Sequence, residues 1–78
     1  MTVTSLKDFV ATEIRAEMAR QRFTISELAE VIHVSQKPAR DRWRGRIEFS
    51  LGEVNAVAEW LGVPVANFFS GFAGEAEV

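Results

Sequence analysis

The sequence contains no cysteine, no tyrosine and a single histidine. Without cysteine the chain can form neither a disulfide nor a thiolate metal site, and other metal ligands are too few to make a site. No apolar stretch approaches the roughly 18 residues that span a bilayer. The beginning of the chain lacks the basic start and apolar run of a signal peptide. We therefore expect a cytoplasmic protein with no metal and no membrane partner.

Groups that carry catalysis are also scarce. There is no Gly-rich phosphate loop and no cluster of carboxylates, and the pair Glu13 and Glu17 has the spacing of an exposed helix face. The lone His33 is better explained as a turn residue than as a base or ligand. We expect no enzyme, no catalytic residues, no cofactor and no small-molecule effector.

The charge of the chain is distributed unevenly. The net charge of −2 argues against a nucleic-acid partner. Residues 37–46, however, carry a net charge of +4, which leaves −6 on the remaining 68 residues. Such a local basic segment suits contact with phosphates, although a solvated surface segment is the other interpretation. The charged residues of this segment are Lys37, Arg40, Arg42, Arg44 and Arg46, with Asp41 as the only acid.

The spacing of apolar residues and helix caps predicts an all-α fold. Five helices are expected, over residues 5–22, 24–32, 35–44, 50–61 and 64–70. The first begins at a cap at Ser5, the second with a Thr24–Glu27 capping box and the fourth with a Ser50–Glu53 one, and Ser35 is the expected N-cap of the third. Residues 1–70 should form a single domain and residues 71–78 a short, frayed tail. The second and third helices, joined by a tight turn, have the helix-turn-helix arrangement.

Short residue patterns between about residues 14 and 69 agree with this arrangement. They are Phe23-Thr24, Glu27-Leu28-Ala29, Val34-Ser35, Arg44-Gly45, Ser50-Leu51, Leu61-Gly62-Val63 and Phe68-Phe69. Their order and spacing resemble the lambda repressor/Cro-like helix-turn-helix family. The resemblance implies a compact, lambda repressor-like five-helix DNA-binding domain with its helix-turn-helix at about 24–44. It also implies a sequence-specific transcriptional repressor of the phage Cro or immunity-repressor type, acting in the host cytoplasm if phage-encoded.

The same resemblance implies which side chains contact an operator in double-stranded DNA, with helix 35–44 in the major groove. The expected base contacts are Gln36, Lys37, Arg40 and Asp41. Gln suits adenine, Lys and Arg suit guanine, and Asp can accept from cytosine. For Asp41 we favour a second interpretation, in which it pairs with Lys37 and positions the ammonium group.

The expected phosphate contacts surround these positions. Helix starts attract anions, and cations beyond the third helix can bind phosphates without contacting bases. The residues are Thr24, Ser26, Ser35, Arg42, Arg44 and Arg46.

Two departures from the family pattern affect these expectations. Arg22 and His33 stand where relatives usually have glycine, and a positive φ at His33 would be modestly strained. Arg42 occupies a position that is often apolar. Either its side chain extends outward along Trp43, or the helix is slightly rotated and Trp43 fills the core position.

Aromatic residues exceed what so short a chain buries easily. Trp60 and Phe72 could form an apolar patch in the C-terminal half, and we expect a homodimer through it, with a monomer as the alternative. Trp60 could instead pack over the first or fifth helix. A second class of function is an antitoxin-type protein-interaction module with autoregulatory DNA binding. A long partner-binding tail would favour it, and only about eight residues follow the fifth helix.

Overall fold

The structure, a computed structural model, describes residues 5–70. Within that range the chain forms four α-helices and one 3₁₀ helix, with no strand, so the all-α prediction is confirmed. The predicted tail at 71–78 lies outside the described residues. The elements are α1 (Leu6–Gln21), α2 (Ile25–Ile32), α3 (Gln36–Trp43), α4 (Leu51–Leu61) and the 3₁₀ helix (Val65–Phe68).

The prediction of a fifth α-helix over 64–70 is wrong. Pro64 was expected as its first helical residue, but it is extended, with φ −65° and ψ 142°. The next turn is held by i→i+3 hydrogen bonds, in which the amide of Asn67 donates to the Pro64 carbonyl at 2.9 Å. Only four residues are helical, too few to offset the cost of starting an α-helix.

Three α-helices begin at the side-chain caps that the sequence predicts. In α1 the Ser5 hydroxyl accepts from the amide of Asp8 at 3.1 Å. In α2 and α4 the capping boxes are complete, each with a reciprocal bond from the N-cap amide to a glutamate. Each cap contributes about 1 kcal/mol. The helix starts are therefore fixed by local sequence.

The core lies between α1, α2, α4 and the 3₁₀ helix. Helix α2 packs against α3 and α4, whereas α1 contacts α3, α4 and the 3₁₀ helix. Helix α3 contributes a single buried residue, Ala39. It therefore lies at the edge of the core, with Gln36 and Lys37 exposed and its other residues half-buried or buried. The buried residues are Val10, Ala11, Ile14, Met18, Leu28, Ala29, Ile32, Ala39, Val54, Val57, Ala58, Leu61 and Phe68.

The two helix ends that lack glycine adopt the left-handed conformation. Arg22 has φ 63° and ends α1, and His33 has φ 61° and ends α2. This conformation brings Cβ close to the following carbonyl oxygen and costs about 1–2 kcal/mol per residue. Both helices nevertheless stop there, because the next segments pack Phe23 and Val34 against the core.

Candidate nucleic-acid interface

A turn of three residues joins α2 to α3. The amide of Val34 donates to the carbonyl of Ala29 at 3.0 Å, and the amide of His33 donates to that of Glu30 at 3.3 Å. The Val34 side chain packs against the core. These bonds fix the direction in which α3 leaves α2.

Helix α3 has one face toward the core and one toward solvent. Ala39 is fully buried and Trp43 packs against the core beside it. The outer face carries the residues that were predicted to contact bases, together with one arginine at the end of the helix. They are spaced three to four residues apart, as one helix face requires. The residues are Gln36, Lys37, Arg40, Asp41 and Arg44.

The first turn of α3 is linked to the first turn of α2. The Gln36 amide nitrogen Nε2 donates to the Ser26 hydroxyl oxygen at 2.5 Å, and both residues are exposed. The second Nε2 hydrogen and the Oε1 oxygen of Gln36 have no partner among residues 5–70. They are the donor and acceptor that an adenine edge requires.

Lys37 and Asp41 form an ion pair along the outer face. The distance from Nζ of Lys37 to Oδ2 of Asp41 is 2.9 Å. The Lys37 side chain is 79% exposed and that of Asp41 15%. The hydrogen bond from Lys37 outweighs partial desolvation and, with the charges of Lys37, Arg46 and Arg44, lowers the pKa of Asp41. This geometry agrees with the interpretation that Asp41 positions the Lys37 ammonium.

The three hydroxyls predicted to contact phosphates differ in their local bonds. Thr24 is occupied in the capping box, where its hydroxyl and its amide both bond to the Glu27 carboxylate. Ser35 caps α3 without a side-chain hydrogen bond. The Ser26 hydroxyl accepts a hydrogen bond from Gln36 and donates none within the described residues. Among the described residues, the Ser26 and Ser35 hydroxyls therefore retain a donor, whereas that of Thr24 does not.

Arg42 points away from the outer face of α3. Its Nε donates to Oε1 of Glu53 at 2.8 Å, and its Nη1 donates to the carbonyl of Pro38 at 3.2 Å. Its side chain is 18% exposed. Because Glu53 belongs to the capping box of α4, Arg42 joins α3 to the start of α4. Its guanidinium is thus engaged inside the protein, not extended along Trp43, and Trp43 takes the core side of the helix.

The loop after α3 folds back on the end of the helix. The amides of Arg46 and Ile47 both donate to the Asp41 carbonyl, at 2.9 and 3.3 Å. Gly45 has φ 85°, and a Cβ there would lie 2.9 Å from Oδ1 of Asp8. The backbone conformation favours glycine here, and a Cβ would also require the Asp8 carboxylate to move. The side chains of Arg44 and Arg46 are consequently exposed just beyond α3.

Arg15 of α1 supports this end of α3, a role that the sequence did not indicate. Its Nη1 donates to the Trp43 carbonyl at 2.7 Å, and its guanidinium lies 5.6 Å from the centre of the Trp43 ring. Nη2 donates to the hydroxyl of Thr12 at 3.2 Å. No local signal marks Arg15, because its partner lies 28 residues away.

The regulator ClgR of Corynebacterium glutamicum is similar to this chain in sequence and structure. A crystal structure of this clp gene regulator has a TM-score of 0.76 and 30% identity, over 85% of this chain and 86% of that one. The chain belongs to the helix-turn-helix transcription regulators. A second ClgR crystal structure has a TM-score of 0.80 and 29% identity, over 87% of this chain and 72% of that one.

A further structure shares the fold of this helix-turn-helix regulator. The hypothetical transcription factor NHTF from Neisseria has a TM-score of 0.73 and 18% identity, over 99% of this chain and 88% of that one. No protein-family model matches the chain, and no curated protein matches it. The resemblance to the lambda repressor/Cro-like class is narrower than this family assignment and stays a prediction.

The aromatic residues of the regulator's C-terminal half have partners inside the chain where the structure describes them. The ring of Trp60 lies 4.3 Å from that of Phe23, tilted by 31°. The predicted dimer contact at Trp60 therefore involves a ring that already packs within one copy, although Trp60 remains partly exposed. Phe72 lies outside the described residues.

No group of three or more potential metal ligands occurs among residues 5–70. In the same range, every helix is too short or too polar to cross a membrane.

Proposed function

We propose that this helix-turn-helix regulator binds operator sites in double-stranded DNA, with α3 in the major groove, and acts as a transcriptional repressor in the cytoplasm. The observation that carries the proposal is the outer position of α3. This helix buries only Ala39, while its outer face and the loop beyond it present four unburied cations. These are Lys37, Arg40, Arg44 and Arg46.

Base contacts are assigned to the first turns of α3. Gln36 offers a free donor and acceptor to adenine while Ser26 holds its amide in place. Lys37 keeps two donor hydrogens for guanine while the third bonds to Asp41. Arg40 makes no side-chain hydrogen bond or ion pair among the described residues and can form the bidentate contact to guanine. The unbonded oxygen of Asp41 can accept from cytosine.

Phosphate contacts are assigned to groups that remain free beside α3. Ser35 offers its hydroxyl, and Ser26 offers its hydroxyl and a backbone amide of the first turn of α2. Arg44 and Arg46 extend beyond the helix end. We leave Arg42 and Thr24 out of this set, because Glu53 and the Pro38 carbonyl hold the Arg42 guanidinium and the Thr24 hydroxyl donates to Glu27.

Repression would follow from occupancy of a promoter site by the bound protein. A protein seated in the major groove at a promoter excludes other proteins from the same DNA, and α3 needs no cofactor or effector for that contact. Two copies on a palindromic site would lie about 34 Å apart, one turn of DNA.

The test is selection of bound duplexes from a random pool, followed by affinity measurements at several salt concentrations. We expect an enriched site and a steep loss of affinity with added salt. Replacing Gln36, Lys37 or Arg40 with Ala should cost about 1–3 kcal/mol at particular base pairs. Replacing Arg46 should weaken binding to all sequences alike.

A matched control is Arg20→Ala. It removes a cation from α1 that pairs with Glu17 and should leave affinity within about twofold. A chain that ignores every duplex at low salt, or a pool that yields no enriched site, would refute sequence-specific binding.

A further inference from the structure

Two of the three large apolar side chains that are exposed within residues 5–70 line one groove. Leu51 is 84% exposed and Leu6 is 43% exposed. The groove has a volume of about 290 Å³, and we call it the α1–α4 groove after the helices of these two residues. An apolar cavity of about 150 Å³ holds benzene, so the groove has room for one aromatic side chain. Contiguous exposed apolar surface of this kind marks a contact site.

The lining of the α1–α4 groove is apolar and partly aromatic. Val10 of α1 and Val54 of α4 are buried where they line it, and Phe49 and Phe69 are half-buried. Aromatic rings attract one another at centroid separations of about 4.5–7 Å, and such pairs are favourable beyond the area that they bury. A further aromatic ring is therefore the occupant that suits this lining best.

The chain leaves the described range at the groove itself. Phe69 lines the groove, Ser70 is the last residue described, and Phe72 follows Phe69 by three positions. Three residues span at most about 11 Å, so the Cα atom of Phe72 stays within that distance of a residue that lines the groove. Gly71 can adopt either sign of φ and so allows the backbone to turn back. The next aromatic residue of the chain is thus within reach of the groove.

The charges beside the groove complement those of residues 71–78. Lys7 lines the groove and a shallower depression next to it, and Arg46 and Glu48 line that depression as well. Lys7 has no ion pair in the described part of the chain. Two cations and one anion therefore lie in this region, whereas the charged side chains of the segment 71–78 are two glutamates. Opposite net charges favour contact between the two.

We propose that residues 71–78 pack against the α1–α4 groove, with the Phe72 ring inside it and a following glutamate paired with Lys7. The ring then contacts Phe49 and Phe69 of its own chain. The alternatives, expected from the sequence, are a frayed tail and a Phe72 that contacts a second copy. No residue of α2 or α3 lines the groove, so this packing leaves the outer face of α3 free. It does not depend on the proposed DNA binding.

Because the chain has no cysteine, a single introduced thiol is a specific probe of the groove. The test is the rate at which iodoacetamide modifies the full chain carrying Leu51→Cys, at a position that is 84% exposed within residues 5–70. Adding Phe72→Ala should raise this rate at least about fivefold, because thiol reactivity increases with exposure. Phe72→Leu, which keeps a large apolar side chain, should change it little. Asn55→Cys, at an exposed position of α4 outside the groove, is the matched control, and Phe72→Ala should not change its rate.

Charge reversal tests the pairing with Lys7. Protection of the thiol is defined as the rate with Phe72→Ala divided by the rate with Phe72 present, which removes the direct effect of a nearby charge on the thiol. Lys7→Glu should lower the protection, because it places like charges beside Glu75 and Glu77. Adding Glu75→Lys and Glu77→Lys to that variant should restore it. Circular dichroism of each variant separates loss of contact from loss of fold.

Three outcomes would overturn the proposal. The first is a rate in Leu51→Cys that Phe72→Ala leaves unchanged, which would mean that Phe72 does not cover Leu51. The second is a rate that rises when the protein is diluted, which would assign the groove to a second copy. The third is a rate that rises with Val3→Ser and not with Phe72→Ala, which would assign the groove to residues 1–4. None of these measurements contains DNA, so failure of this proposal is distinct from failure of DNA binding.

Discussion

The guanidinium of Arg15 lies over the indole of Trp43 and donates a hydrogen bond to its backbone carbonyl at 2.7 Å. The carbonyls of the last helical turn have no intrahelical donors, and a cation placed there also opposes the partial negative charge of the helix end. One side chain of α1 thus satisfies the end of α3 and covers its aromatic residue. This contact fixes the end of α3, and Arg44 and Arg46 are exposed just beyond it.

Arg15→Ala should reduce the free energy of unfolding by about 1–3 kcal/mol, from loss of a charged hydrogen bond and a cation–π contact. Arg15→Lys keeps the charge but cannot make both contacts in the same geometry, so an intermediate loss is expected. Urea denaturation measures the free energy of unfolding of both variants. Equal stability of all three proteins would show that the contact contributes nothing. Duplex affinity should fall in the same order, independent of base sequence.

Arg42 and Arg44, two residues apart, have different expected effects, one on stability and the other on binding. Arg42→Ala should lower the free energy of unfolding by about 1–2 kcal/mol, because Glu53 loses a partner at a partly buried site. Arg44→Ala should leave stability unchanged and weaken duplex binding, since its side chain is exposed. Thermal unfolding and fluorescence anisotropy with labelled DNA separate the two. Arg42→Met, which retains the packing of the side-chain stem, is the control for lost contacts. If Arg42→Ala weakened binding without destabilising the fold, the role assigned to the Glu53 pair would be wrong.

His33→Gly should stabilise the protein. The left-handed backbone at φ 61° costs a residue with Cβ about 1–2 kcal/mol, and the greater freedom of glycine in the unfolded chain returns part of that. A net gain of about 0.5–1 kcal/mol is expected in urea denaturation. His33→Ala keeps the strained backbone and should show no gain. A similar gain in both variants would mean that the histidine ring, not the backbone, is the source.

The Asp41 carboxyl should titrate below its ordinary pKa, chiefly because of the hydrogen bond from Lys37. A lower pKa in the folded state means that the pair stabilises the fold above the unfolded carboxyl's pKa of about 3.9. That contribution disappears as the pH falls through the folded value. Carbon-detected NMR titration of Asp41 measures this directly. Lys37→Gln should raise the pKa toward the ordinary value, whereas Lys7→Gln should not change it. An identical pKa in the protein and in Lys37→Gln would contradict the pairing.

The local features of this fold could be predicted from the sequence, because their partners lie within a few residues. The capping boxes at Thr24 and Ser50 and the pairing of Lys37 with Asp41 are of this kind. Contacts between distant segments could not be predicted. Arg15 meets Trp43, and Phe23 meets Trp60, only after the helices have packed.

One prediction was wrong, and one side chain has a partner that the sequence did not indicate. Arg42 was assigned by its membership of a basic segment, yet the packing of α4 supplied a carboxylate on its inner side. The segment 64–70 was assigned by its proline, which can begin a helix but can equally hold an extended residue before one.

The bond between Gln36 and Ser26 couples the proposed base contact on α3 to a residue of α2. Engineering a new target preference by randomising α3 alone would replace the glutamine while leaving the serine that bonds to its amide. Libraries that vary positions 26 and 36 together should therefore give discriminating variants more often than libraries confined to α3.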